Sequence, residues 1–369
     1  MSVTEDNIAT GYRKVAEAFF AKMPPEQQER ARRLGELNKI YVTTPRDEKI
    51  AQGIEELCQN AAAELFGQSG KRRALFVIGE SDSGKTETIM RHLAKREELR
   101  PYVNEDGDTI RPLVSFEAPK PMTMKGFART ALKACGYPVT NQRLTEMELF
   151  ELLKNKIQES GTLFMFVDEM QHVIKNDKTE EIQNVSDVIK SLLQMPDWPL
   201  HMILSGVPSL ARILNPEDAA GVDTDRQLRN RSLVVEMKPL NYPVDIGLVR
   251  NVQSFIARKC DLKIDGTDTD EFMARLFHAC NNSFGTIIQT VKRAGGFSVN
   301  ETADALAARH FAKVYALNTD CRSSENIFIC ENWREIPPGR LSFSDRAKTL
   351  KDQEIQGEGK VSRSKRKTK

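Results

Sequence analysis

The segment Gly79-Glu80-Ser81-Asp82-Ser83-Gly84-Lys85-Thr86 constrains this chain more than any other. It fills every fixed position of the GxxxxGK[ST] pattern. A short apolar run, Ala74-Leu75-Phe76-Val77-Ile78, precedes it, and residues 87–99, free of Gly and Pro, follow it. Strand, glycine loop and helix in that order read as a phosphate-binding loop within an α/β layout. Gly79 and Gly84 let the backbone curl so that successive N–H groups converge on one cavity, and the helix adds its positive N-terminal end. Lys85 offers a point charge to β- and γ-phosphate oxygens, and Thr86 a hard hydroxyl oxygen to Mg²⁺. ATP with Mg²⁺ is the cofactor pair these residues predict, with the whole of 79–86 as its cradle.

A second signature lies downstream. Residues 162–167 are mostly apolar and end in Asp168-Glu169. Such a run reads as a central parallel strand covered on both faces. Asp168 is placed to hold the Mg²⁺ shell, and Glu169 to polarise an attacking water as general base. Residues 200–206 form a third buried strand ending in Ser205, a hydroxyl for the γ-phosphate or the water, or else an ordinary turn-starting Ser. Arg226, Arg229 and Arg231 cluster before a further strand at 233–237. They are either surface charges or cations offered across a subunit boundary to a neighbour's ATP.

Around this centre, 369 residues suggest about two domains. Residues 1–38 read as a helical arm, with Tyr12, Val15, Ala16, Phe19 and Phe20 on one face; it docks on its own core or on a neighbour. Residues 39–238 form the α/β core, in which Ile50, Ile54, Leu57, Cys58, Ala61 and Leu65 make one apolar helical stripe. Residues 239–320 read as an all-helical lid, with helices at 245–259, 268–280, 285–294 and 300–315. Residues 321–341 are an extension of mixed signals, and 342–369 a polar tail with a basic end, read as disordered. With 54 basic against 52 acidic residues the net charge is only +2, so no global field argues for nucleic acid. A local strip does: Lys120, Lys125, Arg129 and Lys133 recur near helical spacing with Thr123 among them, which is either a DNA phosphate contact or a solvated helix face. Six scattered cysteines contain no CxxC pair, which indicates neither zinc nor a disulfide framework and fits a reducing cytoplasm. No apolar run reaches membrane-spanning length and no signal peptide opens the chain.

The order of arm, nucleotide core, acidic pair, polar strand end, arginines and helical lid resembles the AAA+ ATPases. Within them it is most similar to the transposon-encoded TniB/TnsC regulators, relatives of the phage Mu B protein. The lead-in Ile40-Tyr41-Val42-Thr43-Thr44-Pro45, the phosphate loop, and Asp225-x-Gln227-Leu228-x-x-Arg231 carry that resemblance, which spans roughly residues 35–320. Gly285-Thr286-Ile287-Ile288 sits where such lids approach the nucleotide, although residues 285–290 hold no arginine, whereas many AAA+ proteins place one there. The resemblance implies an AAA+ fold with a parallel sheet and a helical lid. It also implies bacterial, cytoplasmic subunits that assemble with ATP on double-stranded DNA as rings or helical filaments. They would recruit a transposase, work with a target-selection protein, and come apart on hydrolysis. Two other readings stay open: another AAA+ switch, such as a helicase loader or signalling ATPase, and a small-molecule kinase. The kinase would need an acceptor pocket and no arginine from a neighbour, while the Asp168-Glu169 pair favours activation of water.

Overall fold

The computed structural model describes residues 3–120, 123–173, 179–214 and 227–337; Arg226 and the basic tail lie outside them. Two compact units divide the chain, one built from Met1–Gln28 with Thr43–Pro239, the other from Glu29–Val42 with the chain from Leu240 onward.

The first unit opens with α1 (Val3–Ala21); α2 (Pro25–Lys39) begins in it and crosses to the second. Then come α3 (Pro45–Ala63), β1 (Ala74–Gly79), α4 (Lys85–Ala94) and a hairpin of β2 (Tyr102–Val103) with β3 (Thr109–Ile110). They are followed by β4 (Leu113–Glu117), α5 (Met124–Ala134), α6 (Glu146–Glu159), β5 (Phe164–Asp168) and α7 (Thr179–Leu193). The unit closes with β6 (His201–Gly206), the single turns α8 (Ala211–Leu214) and α9 (Gln227–Asn230), and β7 (Ser232–Met237). The five-stranded sheet has the order β4-β5-β6-β1-β7, and every pair in it is parallel.

Two-residue alternation sorts the strand side chains onto the two faces. Phe76, Ile78, Met165, Val167, Met202 and Leu204 pack with Phe127 of α5, Leu149 and Leu153 of α6 and Val185 and Ile189 of α7. Leu75, Val77, Phe164, Phe166 and Ile203 pack with Ile50, Ile54 and Leu57 of α3 and Ile89 and Leu93 of α4. Central parallel strands covered on both sides are why β1, β5 and β6 read as unbroken apolar runs. The α3 stripe stops short of the expected Leu65, which is 84 % exposed: the helix ends at Ala63 and a 3₁₀ turn over Glu64–Phe66 swings that side chain out. Pro45 occupies the first turn of α3, and the Asp47 carboxylate accepts from the Thr44 N–H (2.8 Å) and hydroxyl (2.7 Å), fixing its start.

At the N-terminal end of β6, His201 is fully buried and its ring Nε2 meets the Asn60 amide at 3.1 Å. Burial, reinforced by the Arg73 guanidinium, pushes its pKa down to about 4 from 6.5. The unfolded chain therefore binds a proton that the fold refuses. Stability is fully present above about pH 6.5 and falls by on the order of 3 kcal/mol as pH drops toward 4. Urea midpoints of His201→Phe should lose this dependence, since Asn60 Nδ2 keeps the carbonyls of Gly70 and Arg72 as partners; an unchanged slope between pH 6.5 and 4 would remove His201 as its source.

The second unit contains α10 (Ile246–Lys259), β8 (Lys263–Asp265), α11 (Asp270–Ala279), α12 (Phe284–Asn300), β9 (Ala305–Ala307) and α13 (Ala308–Thr319). Expected as all-helical, it holds a short parallel pair, β8 with β9, and the helix expected over 300–315 begins only at Ala308, after β9. Leu306 is buried, and Thr267 accepts from Gln253 (2.7 Å) while donating to Leu306 O (3.2 Å), which fastens β9 in place. Gly295 and Gly296 do not end α12: a Cβ there would meet Cys260 Sγ at 3.5 Å and Leu37 Cδ1 at 3.3 Å, so α12 packs closely on α10 and α2 at these points. Lys292, buried in α12, donates to Asn38 O in the last turn of α2 at 3.4 Å. The extension is part of this core: Ile327, Phe328 and Trp333 are buried, and Arg275 Nη1 donates to Ile327 O (2.6 Å) and Cys330 O (2.8 Å). Among the described residues, no helix is long and apolar enough to cross a membrane.

Candidate nucleotide site

Because β1, β5 and β6 run parallel, their C-terminal ends share one edge of the sheet. That edge, where ligands bind in open α/β sheets, carries Gly79–Thr86, Asp168-Glu169 and Ser205. The loop curls tightly: Ser83 N–H donates to Glu80 O at 3.2 Å, Asp82 holds φ 58 and Gly84 φ 89. The two glycines serve different needs. A Cβ on Gly79 would lie 2.8 Å from the Met237 Cβ and carbonyl of β7, so that position needs close backbone approach. Gly84 needs its left-handed backbone, and a Cβ there would point into open space.

Lys85 opens α4 yet is only 5 % exposed. Its ammonium donates to Gly79 O and Glu80 O, both at 2.8 Å, and to Ser83 Oγ at 3.3 Å. These acceptors are neutral. Burial pushes the Lys85 pKa below the ordinary lysine value, against the pull of Glu169, Asp168, Asp82 and Glu80. A buried cation held on carbonyls at a helix N-terminus suits a polyanion. Thr86 Oγ1 donates to Asp168 Oδ2 at 2.6 Å, which brings hydroxyl and carboxylate oxygens together as a hard donor set that fits Mg²⁺.

Asp168 is tied from the other side as well: Ser205 Oγ and the Glu169 N–H (2.9 Å) both donate to its Oδ1. Ser205 is fully buried on β6. Glu169 adopts a left-handed backbone, φ 56, uncommon for a side chain of this size. Its Oε2 accepts from Gln171 Nε2 at 2.6 Å, a partner that no motif marks.

The arginines stand elsewhere. β7 runs beside β1 with Ser232 opposite Ala74 and Met237 opposite Gly79, so Arg231 lies at the far end of the sheet from the cradle. Arg231 stands six positions before Met237, about 20 Å along the strand. Arg231 O accepts from the N–H groups of Arg73 (3.0 Å) and Ala74 (3.2 Å). With the Gln194 amide oriented to accept, its oxygen meets Arg231 Nη2 at 2.5 Å and Nε at 3.0 Å. Arg229 is exposed in the turn just before. Arg73, equally outside any motif, is anchored at the same edge by Leu193 O (3.0 Å) and Ser69 Oγ (2.6 Å).

The basic strip resolves into different roles. Thr123 is the N-cap of α5, its hydroxyl accepting from Gly126 N–H at 3.0 Å. Arg129 holds the loop after α5 through Val139 O (3.4 Å) and Asn141 O (2.9 Å). Lys120, Lys125 and Lys133 are exposed.

Residues 67–214 match the family described as AAA domain. Among solved structures, Orc1 of Aeropyrum pernix in complex with DNA is 14% identical with a TM-score of 0.53, over 78% of this chain and 70% of that one. Cdc6p of Pyrobaculum aerophilum is 13% identical with a TM-score of 0.53, over 88% of this chain and 89% of that one. Orc2 of Aeropyrum pernix, solved with ADPNP and ADP, is 13% identical with a TM-score of 0.50, over 79% and 73%. At such identities the likeness is one of fold: an AAA+ P-loop ATPase fold built on a parallel five-stranded sheet. No curated protein matches the chain in sequence.

Proposed function

We propose that this protein is an ATP-dependent, DNA-binding regulator of DNA transposition that hydrolyses ATP between neighbouring copies of itself. The observation that carries the subunit-bridging part is the polarity of the first unit. Lys85, Thr86, Asp168 and Glu169 share one end of the sheet and Arg231 the other. A copy cannot supply Arg231 to its own cradle across about 20 Å of strand, but a second copy stacked head to tail presents it to the first. Such a heterologous contact builds rings when it closes and helical filaments when it does not.

In this reading the phosphates of ATP lie on the loop amides and Lys85, Mg²⁺ is held by Thr86 and Asp168, and Glu169 polarises the attacking water. Ser205 orients Asp168. Arg231, with Arg229 or Arg226 as the further candidates, stabilises charge developing in the neighbour's site. DNA binding is supported by the Orc1 likeness, a protein solved on DNA, and by the exposed Lys120 and Lys125. The transposition role, with transposase and target-selection protein as partners, rests on the TniB/TnsC resemblance of Ile40–Pro45 and of the segment ending at Arg231.

Imaging the protein with a non-hydrolysable ATP analogue, with and without duplex DNA, tests this. Rings or filaments that need both nucleotide and duplex are expected. A protein that stays monomeric at saturation with both refutes it. In the same assay a Lys120/Lys125 double alanine should lower the slope of log affinity against log salt by about two, one for each phosphate no longer neutralised. A wild-type slope would reduce those lysines to solvated charges.

A further inference from the structure

Both carboxylates of the site are tied to one short stretch of chain, the end of β6. Ser205 donates to Asp168, as described. Two residues on, the Val207 N–H donates to Gln171 Oε1 at 3.1 Å, and Gln171 Nε2 donates to Glu169 Oε2 at 2.6 Å. The amide's orientation is determined: a backbone N–H can only donate, so the oxygen of Gln171 must face Val207 and its NH₂ must face Glu169. Gly206 makes room for this bridge, because a Cβ there would lie 2.6 Å from Gln171 Oε1. Gln171 follows Glu169 by two positions, in the 3₁₀ turn Met170–Val173, and Glu169 carries the left-handed backbone that turns the chain out of β5.

We infer that Gln171 is a positioning residue that aims the Glu169 carboxylate and couples it to the end of β6 through Val207. The inference rests on the reading of Glu169 as the base that polarises water. A shift of Ser205–Val207 then moves the metal-side carboxylate and the base together, so one strand end reports to both halves of the reaction centre. Lys85, whose charge acts on Glu169, and the adjacent Asp168 are charged groups near it. Neither constrains it toward β6 as the Gln171 amide does.

Three substitutions separate positioning from simple support. Gln171→Glu keeps an acceptor for Val207 but cannot donate to Glu169. Gln171→Ala loses both bonds. Gly206→Ala leaves Gln171 intact and pushes its amide out of register. Each should lower kcat for ATP hydrolysis about tenfold or more, the scale of a lost hydrogen bond to a charged group, with nucleotide affinity within about twofold of wild type. In a Glu169→Gln background, measured by single-turnover hydrolysis of labelled ATP over hours, Gln171→Ala should cost little more, because both changes act through the same carboxylate. Wild-type kcat in Gln171→Glu, or a full additional loss in the double variant, would overturn the inference. Should Gln171→Ala lose nucleotide binding, Gln171→Glu and Gly206→Ala decide the question. Normal turnover in Glu169→Gln alone would instead refute the assignment of the base, a separate failure.

Discussion

Lys85→Ala abolishes ATP binding in the expected result, with a loss of about a thousandfold in affinity. The figure follows from removing two or more charge-assisted hydrogen bonds to phosphate oxygens, at about 1.5–3 kcal/mol each. The side chain is buried and sits on the Gly79 and Glu80 carbonyls, so truncation removes the cradle's cation without touching either face of the core. Removing a buried charge lifts a desolvation cost even as it frees two carbonyls, and the two effects offset. The apo melting temperature should accordingly move little. Thermal shift is the cleanest measurement: wild type with nucleotide at a hundred times Kd gains about 2.7 kcal/mol by mass action, and the variant at the same concentration gains nothing. Assembly on DNA should disappear with it. A full nucleotide-dependent shift in Lys85→Ala would show that the loop is not the phosphate site.

The cradle and the acidic pair were legible in the sequence because their chemistry is local. Backbone curl, cation and hydroxyl all lie within the eight residues from Gly79 to Thr86, and the strands that position them are unbroken apolar runs. The sheet order was not legible, since nothing in the apolar runs says that β1 inserts between β6 and β7. Gln171 escaped for a related reason: a glutamine two positions after a glutamate has no periodicity, and only the fold brings Val207 to it. The strip around α5 is ambiguous in the sequence for a different reason. Thr123 and Arg129 look like phosphate contacts at helical spacing, but a threonine before a helix is also a common kind of cap, and a guanidinium with five donors readily ties down a neighbouring loop. The β2–β3 hairpin and the β8–β9 pair, with two or three residues per strand, are too short to show alternation at all.

Glu169→Gln should leave ATP bound and stop the chemistry, with kcat down about 10²–10⁴-fold, the range for loss of a general base. The substitution is nearly isosteric, and the backbone strain at φ 56 is the same for either side chain. A glutamine at this position can turn its oxygen toward Gln171 Nε2 and keep that bond, so the constellation of Lys85, Thr86 and Asp168 persists while the negative charge that polarises water is gone. Nucleotide affinity should thus match wild type, which makes the loss one of kcat and not of binding. The consequence for assembly is directional. If ATP joins neighbouring copies and hydrolysis parts them, the variant's assemblies on duplex DNA should outlast wild-type ones after dilution, by a factor comparable to the drop in kcat. Following light scattering and phosphate release in parallel checks both halves. Turnover within tenfold of wild type would remove Glu169 from the base role. Arrested turnover with wild-type disassembly would uncouple hydrolysis from release and leave dissociation to be driven by nucleotide exchange.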